Sequence, residues 1–371
     1  MRRTRGFSMV ELMVAIMLAL LVTGAVISVF IGARRAFQGT SGTGAVTDGG
    51  RFAVGFLEQA VRNAGFMACN TTQRQANVLS VVLPSLAYNF TEPLDGFEAN
   101  NTGVGAAYTL VAPATQLASM SADPSTGDWV NGLDPALTDM VIQHNDVLVV
   151  RSTLPGSQPA YLTSAAPNGS NNFTVNSNGV TNFAPGQIAV MSDCAKSAAF
   201  QVQAGSTTTV AFNSGGGPPG NSAGALGMDF DLGAQVTPVT TAVWFIGPGA
   251  DGDSALFSYT LNAAGVFPNS GPPNNGATEM VPDIEAMQIL YGIDTTGTQT
   301  VSQYVTADQV PDFNSVMSVK IAILAASPLG SASIPSAALT YNLLGTIVTA
   351  PQDSRSRQVF EVTVSVRNSL T

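Results

Sequence analysis

Residues Leu12 to Ile31 form a run of twenty without a charge, and the one acid beside it is Glu11. As a helix rising about 1.5 Å per residue, such a run spans roughly 30 Å, the hydrocarbon thickness of a bilayer. Arg2, Arg3 and Arg5 precede it. Basic residues ahead of a span place the N-terminus in the cytoplasm. A carboxylate at the edge of the span costs free energy unless it meets a partner. The chain must therefore put one end in an apolar environment and fold the rest outside it.

Three interpretations compete for this segment. A cleaved secretory signal shares the basic start, but its apolar core runs 7–15 residues and ends at a small-x-small site. This run is longer and no Ala-x-Ala follows it. A single-pass anchor fits the hydropathy and leaves Glu11 unexplained. The wording Gly6-Phe7-Ser8-Met9-Val10-Glu11-Leu12 resembles the class III signal of type IV prepilins. In that family a short basic leader ends in Gly, Phe or Met follows, and Glu is the fifth mature residue. The resemblance implies that a membrane prepilin peptidase/N-methyltransferase cleaves between Gly6 and Phe7 and methylates the new Phe7 amine. Gly6 would let the backbone extend into a protease cleft without a side chain. Glu11 would then be the assembly charge, paired with the Phe7 amine of its own or an adjacent subunit; such a pair is stronger in a low-dielectric filament core than in water.

The chain has 371 residues, 45% of them hydrophobic and 10% charged, with 37 Gly and 21 Pro. That composition predicts a folded, β-rich, turn-rich head. The net charge is −10, and removal of Arg2, Arg3 and Arg5 takes it three units further. Between Gln75 and Val319 only Arg151 and Lys196 are basic, which argues against a nucleic-acid interface, since phosphate binding needs clustered Lys and Arg. The two cysteines, Cys69 and Cys194, predict one disulfide in an exported domain, against two buried free thiols. On the chain-entropy account, closing a loop of about 125 residues stabilises by roughly 4–5 kcal/mol.

Helical spacing continues past the span. Gly39, Gly42 and Gly44 should weaken or interrupt the helix, at about 1 kcal/mol each, and the pattern resumes at Asp48. Phe52, Phe56 and Ala60 together with Ala53, Leu57 and Val61 predict one broad apolar face. Glu58 and Arg62 make an i,i+4 pair on the wet side, and Gly65 marks the stop. From Asn77 on, short apolar runs bounded by Gly, Pro, Asn or Asp predict strands, among them Val141–Arg151, Ala242–Ile246, Met287–Ile293, Val316–Ala325 and Phe360–Arg367. The stretches 95–139 and 215–227 look like long surface loops.

The C-terminal third carries a second resemblance. Val281-Pro282-Asp283-Ile284-Glu285-Ala286-Met287-Gln288-Ile289-Leu290-Tyr291-Gly292-Ile293-Asp294, then Tyr304, Val316–Leu324, Arg355-Ser356-Arg357 and Arg367-Asn368 resemble the PilW family of minor pilins. Gly50-Arg51-Phe52-Ala53 and Arg62-Asn63-Ala64-Gly65-Phe66-Met67-Ala68-Cys69 fit it as well. The family's usual Trp before the last aliphatic strand is missing, with Phe313 and Val316 in its place, and its Arg after that strand is Ala326 here. The expected fold is α+β and pilin-like, a long N-terminal helix followed by a large antiparallel β-rich domain with long loops. The expected organisation is a leader (1–6), a helix (7–66, membrane part about 12–31) and a head (67–371), the head divisible near residue 240 into 67–240 and 241–371. The resemblance implies a subunit that primes type IV pilus assembly and sits at or near the pilus tip, supporting adhesion, twitching motility or DNA uptake. Its partners would be other minor pilins, the major pilin and a tip adhesin. It would sit in the inner membrane, N-terminus cytoplasmic and head periplasmic, before moving to the pilus tip. A type II secretion pseudopilin and an anchored adhesin or binding module are the alternatives.

Enzyme chemistry finds little support. The single histidine, His144, has no nucleophile-elbow Gly-x-Ser-x-Gly to serve. Two distant cysteines and one histidine cannot supply a zinc site, and no phosphate-binding loop occurs. No cofactor is expected. Asp251 and Asp253 flank Gly252 and are a weak calcium candidate; an acidic β-turn is the favoured reading.

Overall fold

The computed structural model describes residues 8–66, 75–80, 86–110, 128–137, 139–176, 183–193, 195–268, 276–332 and 337–366. A single helix, Met9–Asn63, runs 55 residues, about 80 Å at the usual rise. The glycine cluster does not interrupt it. Gly42, Val46, Gly50, Ala53, Leu57 and Val61 are buried along one stripe, and this packing onto the head outweighs the intrinsic cost of glycine. The broad apolar face is narrower than the spacing suggests. Ala53, Leu57 and Val61 are fully buried while Phe52 stays 65% exposed, and Phe56 lies beside Trp244, ring centroids 6.5 Å apart.

The helix lies on a four-stranded antiparallel sheet ordered Gln303–Val305, Ile284–Ile293, Val316–Ala326, Arg357–Ser365. Its buried stripe shares a core with Ile289, Ile321, Ile323 and Val364. On the sheet's other side, Ala286, Ala322 and Leu324 pack with Leu343, Val348 and Leu110. Those come from a three-stranded sheet of Thr340–Leu343, Thr346–Thr349 and Ala107–Thr109, and from its margin.

A twelve-stranded sheet makes the rest of the head, organised by the 14-residue strand Gln235–Pro248. The sequence pattern detects only Ala242–Ile246, within its second half. Its first part pairs with Ile188–Ser192 and Ala160–Leu162, its second with Val147–Thr153 and Ser254–Thr260. Pro238 stands where the partner changes, a position that tolerates the missing N–H. Under the first part, Phe173, Phe200 and Phe212 cluster with centroid separations of 5.1 to 6.3 Å.

The sheets change at Asp283, whereas Gln235–Pro248 runs unbroken through residue 240. Thr278–Pro282 pairs with the large sheet and Ile284–Ile293 with the four-stranded one, and Asp283 between them has φ 59°. The stretch 95–139 is less of a loop than its composition suggests. It includes Ala107–Thr109, most of Leu94–Phe97, and the buried Trp129, Leu133 and Leu137.

Candidate functional site: the helix and its seat on the head

Ser8 caps the helix, its Oγ accepting the Val10 N–H at 3.3 Å, while the Glu11 carboxylate accepts the Ser8 N–H at 3.3 Å. A carboxylate in the first turn also faces the positive end of the helix dipole. The apolar window that follows is bare of protein contact and long enough to cross a membrane. Its two hydroxyls are satisfied within the helix: Thr23 donates to the Ala19 carbonyl at 2.7 Å and Ser28 to the Ala25 carbonyl at 2.8 Å. That is the condition hydrocarbon imposes on polar groups. Gly6 and Phe7, the predicted cleavage site, lie outside the described residues, as do Cys69 and Cys194.

The seat starts at Gly42. A Cβ there would stand 2.6 Å from the Ser331 Cβ, and one on Gly50 would collide with the Phe360 ring. Both glycines exist to let the helix approach. At the far end Gly65 adopts φ 69°, the left-handed stop typical after a helix. Its N–H donates to the Arg151 carbonyl at 2.8 Å, and Thr153 donates to the Phe66 carbonyl at 2.9 Å. The helix end is thus stitched to the Val147–Thr153 strand.

Beside the corner at Asp283, two arginines from the end of the chain organise the acids. Arg355 Nη1 donates to Asp283 at 3.0 Å and Nη2 pairs with Asp253. Arg357 spans Glu285 at 2.6 Å and Asp353 at 2.6 Å. Burial lowers the Arg357 pKa, but hydrogen bonds to Asp353 and Glu285 outweigh it and the net shift is upward. Glu285 is raised, because burial outweighs the two guanidinium groups. Asp253, half of the acidic turn around Gly252, is paired with Arg355. Among the described residues no group of three or more His, Cys, Asp or Glu could hold a metal ion. His144 has φ 63° and stacks on Tyr108, centroids 4.9 Å apart.

Sequence reasoning missed several buried polar groups. Arg151, wholly buried, donates to the carbonyls of Leu86 at 3.0 Å, Glu92 at 3.2 Å and Leu94 at 3.4 Å, and reaches Asp95 at 3.4 Å. Asn145 and Asp146 seal one edge of the four-stranded sheet, each accepting at 2.8 Å, from the N–H groups of Met287 and Ile289. Asp146 also holds the Ala99 N–H at 3.1 Å and neighbours Glu98. Burial raises both carboxyl groups. The isolation of Arg151 in a stretch otherwise nearly devoid of cations was the available signal.

Residues 243–368 match the family described as Type IV Pilus-assembly protein W, and residues 1–27 match the prokaryotic N-terminal methylation motif. Among solved structures, the chain is similar to a type IV-like pilin from Thermus thermophilus, with 18% identity, 51% of this chain and 86% of that chain covered, and a TM-score of 0.21. No curated protein matches.

Proposed function

Because the chain belongs to the PilW family of type IV pilin-like minor pilins, we propose that it primes type IV pilus assembly and sits at or near the pilus tip with other minor pilins. The observation that carries this reading is the division of one rigid helix into a bare apolar half and a half locked onto the head. The bare half suits lipid first and a bundle of like helices afterwards. Association with other pilus components and processing as a prepilin follow from the family. The finer steps are ours: cleavage after Gly6, methylation of Phe7, and use of Glu11 as the counter-charge of that amine. A head of some 300 residues is bulky for a repeated position in a slim fibre, and an end position tolerates bulk. The role is structural, with the large head presenting its loops for adhesion, motility or uptake.

Mass spectrometry of this subunit from sheared pili tests the reading. The expected N-terminus is a methylated Phe7, with a Cys69–Cys194 bond in the head and minor pilins co-purifying. Glu11→Ala should still insert into the membrane and drop out of the sheared fraction. A subunit that starts at Met1, or that never leaves the membrane fraction, would overturn it.

A further inference from the structure

Among the described residues two asparagines stand directly before a glycine, Asn131 and Asn168. Asparagine is one of the chemically labile side chains. Its side-chain carbonyl carbon lies one ring closure away from the next backbone nitrogen, and a glycine there has no Cβ to hinder the approach. Both asparagines are exposed, so access does not distinguish them.

The attacking nitrogen does. The Gly132 N–H donates to the Trp129 carbonyl at 3.1 Å, and Gly132 has φ 77°, so that nitrogen is committed inside a turn. Asn168 and Gly169 are the central residues of a turn closed by the Ser170 N–H on the Pro167 carbonyl at 2.8 Å. Neither the Gly169 N–H nor the Asn168 side chain makes a hydrogen bond among the described residues. Nothing stands within 4 Å of a Cβ built on Gly169, so the space beside the nitrogen is open. The flanks hold the turn in place. Ala166 and Phe230 exchange N–H bonds of 2.7 and 2.8 Å, and the Asn168 N–H donates to Asp229 Oδ1 at 2.7 Å.

We propose that Asn168 is a modification site, converted without an enzyme through a cyclic succinimide. The Gly169 nitrogen gives up its proton and attacks Cγ of Asn168. The new N–C bond forms as the Cγ–Nδ2 bond breaks, and ammonia leaves with that proton. Water, the sole co-reactant, then opens the ring at either carbonyl and leaves aspartate or isoaspartate. Either product puts a second carboxylate near Asp229, and isoaspartate also inserts a methylene into the main chain of the turn. The tip of the hairpin between Ala160–Leu162 and Asn172–Asn176 thus gains negative charge as the subunit ages.

Peptide mass spectrometry on the full chain, held folded in detergent micelles, tests this. Fragment ions distinguish residue 168 from Asn178, which also precedes a glycine. The expected product carries a hydroxyl in place of the Asn168 amide nitrogen and accumulates at least about tenfold faster than at Asn131, a barrier difference of about 1.4 kcal/mol. Its formation should quicken by up to about tenfold per pH unit above neutrality, as loss of one proton requires. Gly169 lies outside the left-handed region, so Gly169→Ala spares the turn and should slow conversion about tenfold by crowding the attacking nitrogen. In urea, where the Gly132 turn is lost, the two sites should converge. An Asn168 that stays intact, equal rates at both sites in the folded chain, a gap that persists in urea, or a Gly169→Ala variant that converts as fast would overturn the proposal.

Discussion

Gly44 and Gly50 sit in the same helix and answer to different forces. Nothing stands within 4 Å of a Cβ built on Gly44, whereas one on Gly50 meets the Phe360 ring. Gly44→Ala should therefore stabilise the protein by about 0.5–1 kcal/mol through helix propensity. Gly50→Val should destabilise it by about 1–3 kcal/mol through overpacking. Thermal melts in detergent check both, with opposite signs expected. The sequence marked Gly44 as a helix weakener because propensity is local, while the ring that makes Gly50 necessary, Phe360, is distant in the chain. Buried charge was equally hard to see. Burial, Asp146 and Asp308 push the Glu98 carboxyl up to about 9 from an ordinary value near 4.5. The folded state then holds a proton that the unfolded chain releases, so this group's contribution to stability falls as pH rises from about 4.5 towards 9. In Glu98→Gln that part of the decline should disappear, seen as a flatter profile of melting temperature against pH.

At the scale of elements, the corner at Asp283 is where the architecture is decided. One residue carries the chain out of the large sheet and into the one that bears the helix, and Arg355 holds it there from the end of the chain. Removing a buried guanidinium leaves its acids unpaired, so Arg355→Met should cost about 3 kcal/mol. Denaturant unfolding checks the size, and a loss below about 0.5 kcal/mol, the scale of a surface pair, would contradict it. The strands Val316–Ala326 and Ile284–Ile293 were legible within a few residues, since each is long, apolar and turn-bounded. Val141–Arg151 was not: only the part from Val147 is strand, because Asn145 and Asp146 turn aside to cap the edge of another sheet. Gln235–Pro248 was read at a third of its length, its flanking Thr, Gln and Pro resembling loop until their pairing partners are known.

For the molecule as a whole, the outline was readable from two ends. The N-terminal motif and the final third carry family signatures, and they frame the helix and the sheet on which it rests. Most of the large sheet lies between them, where small polar residues and turns hide pairings between distant segments. One physical consequence concerns how the two ends communicate. From Gly42 to Val61 the rod is clamped; from Met9 to Ser41 it projects free, about 50 Å at helical rise. With no hinge at the glycines, the projecting arm is a lever. A tilt of about ten degrees at the clamp swings its far tip by about 9 Å over that length. Side-chain size at positions 42 and 50 thereby aims the head.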